Sequence, residues 1–75
     1  MMTKKQNVDF SKIKFTDYCT CFNFRDEKGY GVQVFDEIKD KPIKTIRVRT
    51  SSESTVLADD IVKYAQENNF NCFRL

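Results

Sequence analysis

The sequence predicts an α+β fold: a three-stranded antiparallel meander packed on one C-terminal helix, with a short fourth strand able to follow it in the order β-β-β-α-β. Three observations carry that expectation. Residues 52–69 keep a helical period, with Leu57, Ala58, Ile61, Tyr64 and Ala65 on one face and Asp59, Asp60, Lys63, Gln66 and Glu67 on the other. Residues 30–38 and 43–50 alternate apolar and polar side chains with the two-residue period of a strand. Short polar turns separate the runs, and connections that brief favour antiparallel neighbours.

Each element has its own justification. Residues 15–24, FTDYCTCFNF, are rich in the aromatic, Thr and Cys side chains that suit a pleated surface. RDEKG, residues 25–29, is a turn closed by Gly29, and YGVQVFDEI follows as the second strand. KDKP, residues 39–42, is the next turn; Pro42 has no backbone N–H to give a ladder. IKTIRVRT, residues 43–50, is the third strand. Thr50 and Glu53 have the spacing of a capping box at the helix entry, with Ser52 and Ser54 as alternative caps, and Asn68 and Asn69 suit its end because Asn tolerates the left-handed conformation. FNCFRL, residues 70–75, is short, apolar and extended in character.

Apolar side chains placed inward set the registers, because a one-residue slip turns every side chain over. Phe24 opposite Tyr30, and Val32 opposite Val48, put Tyr18, Phe22, Phe24, Tyr30, Val32, Val34, Ile46 and Val48 under the helix. The reverse side then holds Cys19, Cys21, Asn23, Gln33, Phe35, Glu37, Ile43, Thr45, Arg47 and Arg49. A merely solvated face would be polar throughout. Apolar residues beside arginine are instead the composition enriched at protein contacts. Val8, Phe10 and Ile13 folding across Phe35 is the competing arrangement.

With 75 residues the chain has material for one small domain, which at that size buries about 60% of its unfolded surface. Seven Phe and three Tyr supply the density such a core needs. Residues 1–12 read as a flexible basic N-terminal segment and residues 13–75 as the domain. The net charge of +2 is too small to imply nucleic acid by itself, but it is unevenly spread. Residues 1–14 and 39–49 are basic, whereas 15–38 and 53–67 each sum to −3.

Chemistry is harder to place. With no His there is no imidazole base, and the carboxylate pairs Asp26-Glu27, Asp36-Glu37 and Asp59-Asp60 read as solubilising charge. Cys19 and Cys21 project the same way from a strand at a separation of about 7 Å, too far for an easy disulfide. Three Cys without His fall short of a tetrahedral zinc set. No enzyme, metal or cofactor is therefore expected. Three cysteines, no export signal and no apolar run near the ~18 residues that span a bilayer place the chain in the cytoplasm, away from membrane.

The functional expectation is a non-enzymatic protein that occupies a surface of a larger protein partner, of the inhibitor or regulator type that phages and mobile elements direct at defence enzymes. Phe35, Ile43, Arg47, Arg49, Lys41 and Lys44 are the candidate contact residues. The alternative is a nucleic-acid-binding module on the basic strand, and a homodimer through the same face is compatible with either. A meander backed by one helix is shared by small phage inhibitors and the DNA-binding arms of integrases, so shape alone assigns nothing.

Overall fold

The computed structural model describes residues 8–75. A 3-10 turn (Phe10–Lys12) leads into strand β1 (Cys19–Asp26), then β2 (Gly29–Asp36), β3 (Lys41–Val48), helix α1 (Ser51–Glu67) and a short β4 (Cys72–Arg74). The four strands form one sheet in the order β3-β2-β1-β4, with β1, β2 and β3 antiparallel and β4 parallel to β1. Helix α1 carries the chain from one edge of the sheet to the other.

The helix forms where its period and caps require. Thr50 Oγ1 accepts from Glu53 N at 3.1 Å, and Glu53 Oε1 accepts from Arg49 N at 3.0 Å, one residue earlier than in the usual reciprocal box. Asn68 caps the other end, and Asn69 takes the left-handed conformation at φ 70°. Ser54, Leu57, Ala58, Ile61, Val62 and Ala65 are buried along the inner face. Ile61 is fully enclosed, which stabilises the fold by roughly 1.5–3 kcal/mol.

The expected register of β1 is off by one residue, and the slip inverts that strand. Asp26 pairs with Gly29 across a turn of only Glu27 and Lys28, so Asn23 lies opposite Val32 and Cys21 opposite Val34. Asp26 Oδ1 accepts from Lys28 N at 2.9 Å, and Gly29 adopts φ 122°, which L side chains rarely reach. Cys19 and Cys21, expected outside, are wholly buried beneath the helix, and Asn23 reaches Thr55 Oγ1 at 3.1 Å. Tyr18, Phe22 and Phe24, expected in the core, belong to the opposite side.

Small side chains explain the inversion. Cys21 Sγ donates to Ala58 O at 3.8 Å and Ser54 Oγ to Gly31 O at 2.9 Å, so helix and sheet meet through Cys, Ala, Ser and Gly. A Phe ring has no room in that seam.

Between β2 and β3 the pairing differs from expectation by two residues, which leaves the faces unchanged. Tyr30 lies opposite Val48, Val32 opposite Ile46 and Val34 opposite Lys44. A bulge then inserts Ile43, so that Phe35 meets Pro42. Pro42 is tolerated because β3 is an edge strand.

Residues 1–7 of the basic N-terminal segment lie outside the described residues. From Val8 onward the segment packs against the core on the helix side, not across Phe35. Phe10 meets Tyr64 edge-on at 5.6 Å, and Phe15 lies 5.4 Å from Phe70. No helix among the described residues is long and apolar enough to cross a membrane.

Candidate interaction surface

The sheet face opposite the helix is built from the outward residues of all four strands. One row runs Phe73, Thr20, Phe35 and Pro42; the next runs Phe22, Gln33 and Thr45; the third runs Phe24, Gly31 and Arg47. Tyr18 joins the first row by an edge-on contact with Phe73 at 5.4 Å. Both rings are 46% exposed, whereas Phe22, Phe24 and Phe35 are partly buried against one another's strands. Five aromatic rings therefore share the face opposite the helix, with Tyr18 and Phe73 its most exposed members. It is more aromatic than the sequence suggests, because β1 contributes Phe22 and Phe24 where Cys and Asn were expected.

Polar groups on this face are mostly engaged with each other. Gln33 Nε2 donates to Thr45 Oγ1 at 3.0 Å, and Thr20 Oγ1 donates to Glu37 Oε2 at 2.7 Å. Arg47 lies over the Phe24 ring at 5.2 Å and donates from Nη1 to Asp26 Oδ1 at 2.7 Å. That hydrogen bond holds the Asp26 carboxyl below its usual range and raises the guanidinium's hold on its proton. Gly31 is required beneath the Phe24 ring, since a Cβ there would overlap the ring and lie 2.9 Å from Ile46 O.

The residues selected from sequence do not form one patch. Phe35 and Arg47 are on the aromatic face, as expected. Ile43 is not: as the bulge residue it packs against the core. Arg49 is exposed just past β3, its backbone N–H held by Glu53. Lys41 and Lys44 line a separate groove with Lys12, Lys14 and Lys39. Tyr18, Phe22, Phe24 and Phe73 were missed as surface residues. For Tyr18, Phe22 and Phe24 the signal was the tight Asp26–Gly29 turn together with the small helix residues Ser54, Ala58 and Ala65, which leave space only for small partners; Phe73 is placed by the pairing of β4 with β1.

The thiols are structural. Cys19, Cys21 and Cys72 are unbridged and almost fully enclosed, with Cys19 opposite Cys72 on the paired strands. Burial pushes the Cys21 thiol up to about 12 and raises Cys72 as well. Comparison with protein-family models, with curated proteins and with solved structures finds no match to this chain.

Proposed function

We propose that the chain is a non-enzymatic binding protein that seats its aromatic sheet face on a larger protein, acting as an inhibitor or regulator by occupying that surface. One observation carries the reading: five rings project from one sheet face outside the core, two of them, Tyr18 and Phe73, in contact and half exposed. Aromatic centres with a polar, Arg-containing rim concentrate binding energy, and contiguous apolar surface of this kind is uncommon without a partner.

Electrostatics favours a protein over a nucleic-acid strand on this face. Base stacking beside arginine would need a cationic rim. Arg47 is already paired with Asp26, Glu37 adds a negative charge, and the lysines lie elsewhere. Cys21 and Cys72, whose thiols burial keeps from ionising, offer no nucleophile, and Cys19 is fully enclosed.

The test is capture of a partner by the tagged protein, with identification by mass spectrometry and a binding constant for the purified pair. Tyr18→Ser/Phe73→Ser and, separately, Phe35→Ala are expected to weaken that constant at least tenfold, about 1.4 kcal/mol or more. Tyr18→Ser/Phe73→Ser changes side chains already half in water, so its thermal midpoint should stay close to wild type. A partner bound equally well by all three proteins overturns the reading. Sedimentation of the wild type tests the remaining occupant, a second copy of the same face.

A further inference from the structure

The two basic stretches of the sequence, some 25 residues apart, converge on one groove. Lys12 and Lys14 reach it from the N-terminal segment; Lys39, Lys41 and Lys44 reach it from the β2–β3 turn and the bulged edge of β3. The groove measures about 440 Å³, with Ile13, Pro42 and Ile43 among its lining residues. Among the described residues the ion pairs join Arg47 to Asp26 and Arg74 to Asp59, so none of these five lysines is held in an ion pair, although Asp9 feels the charge of Lys12. The one acid in the lining, Asp36, is buried and its Oδ1 accepts from Ile38 N at 2.9 Å and Lys39 N at 3.0 Å. Thr16, also on the wall, buries its hydroxyl without a hydrogen-bond partner.

We propose that this groove holds the phosphate backbone of a nucleic-acid strand. A single phosphate would be over-matched by five ammonium groups, whereas a run of phosphates presents charge at the regular spacing such a groove can follow. Lysine supplies point charge without the planar fork that reads base edges, and no aromatic ring lines the groove on which a base could stack. Binding is therefore independent of sequence and steeply dependent on salt. The site goes beyond the aromatic face and uses different residues, so either can fail alone.

Fluorescence anisotropy with a labelled mixed-sequence single-stranded oligonucleotide tests it. Five phosphate contacts at about 0.7 each give a log–log salt slope near 3.5, roughly a hundredfold loss over a fourfold rise in salt. Lys41→Glu/Lys44→Glu should weaken binding at least tenfold and reduce the slope by about 1.4. Lys28→Glu/Lys63→Glu, with the same change in net charge outside the groove, should bind within a few-fold of wild type, as should Tyr18→Ser/Phe73→Ser. If Lys41→Glu/Lys44→Glu does not fold, Lys12→Glu/Lys14→Glu makes the same comparison from the other wall. Absence of binding at low salt overturns the proposal, as does equal loss in the two charge-reversed pairs. Displacement by polyphosphate or polyglutamate as effective as by unlabelled strand, at equal charge, also overturns the assignment to nucleic acid.

Discussion

Cys21 and Phe24 are three residues apart on β1 and lie on opposite sides of the sheet, for reasons of volume. The helix approaches through Ser54, Ala58 and Ala65, close enough for Cys21 Sγ to reach Ala58 O. Only small side chains fit between, so the rings go outward and the thiols inward. Enclosed thiols resist ionisation, and that has a pH consequence. An unfolded cysteine loses its proton near pH 8.5, whereas burial raises Cys72 and carries Cys21 to about 12. The folded chain thus keeps protons that the unfolded chain gives up. The thiol contribution is complete below about pH 8.5 and declines as pH rises toward the folded values, by roughly 1.4 kcal/mol per pH unit for each thiol. Urea unfolding of wild type between pH 8 and pH 10.5 should register this fall. Cys21→Ala/Cys72→Ala should show a shallower one, since the two thiols that burial raises are then absent. Parallel slopes would mean the thiols ionise freely.

At the scale of elements, helix α1 was legible because period, entry and exit agreed. Its inner stripe, the Thr50 entry and the Asn68–Asn69 exit all stand where the residues indicate, apart from Ser54 and Val62, which the stripe omitted. Thr50→Ala removes the acceptor for Glu53 N and should cost about 1 kcal/mol, read as a lower urea midpoint with an unchanged slope. Glu53→Ala should cost less, since it releases only the more exposed Arg49 N–H. The strands were legible as strands, but β1 was not legible in register. Its two sides, aromatic and thiol, are both apolar, so alternation could not say which faced the helix. Hydrophobicity put Phe inward; the two-residue turn and the small helix residues overruled it. For β2 and β3 the alternation is unambiguous at Val32, Val34 and Ile46, and a shift of two residues left their faces intact.

For the whole molecule, long-range pairing matters most, and it was the part least visible in the sequence. The lysines of residues 12–14 and 39–44 meet only because the N-terminal segment packs beside the β2–β3 turn. The aromatic face extends to the β1 edge only because β4 adds Phe73 there. That last strand is short, yet its attachments are dense. Cys19 N donates to Asn71 O at 2.9 Å, Leu75 N to Cys21 O at 3.0 Å, and Gln66 Nε2 to Cys72 O at 2.9 Å. Cys72 is enclosed between helix and sheet, and Arg74 Nε reaches Asp59 Oδ1 at 2.8 Å. Deleting residues 71–75 would expose Cys19, the β1 edge and the end of the helix face together, losses that a domain of 75 residues has little margin to absorb. The shortened chain should lose cooperative thermal unfolding and bind a hydrophobic dye while retaining part of its far-UV circular dichroism. Deleting Leu75 alone, a side chain 70% exposed, should leave the transition cooperative. A sharp transition near the wild-type midpoint in the chain ending at Phe70 would mean that β4 is an appendage, and that the three-stranded meander and helix suffice.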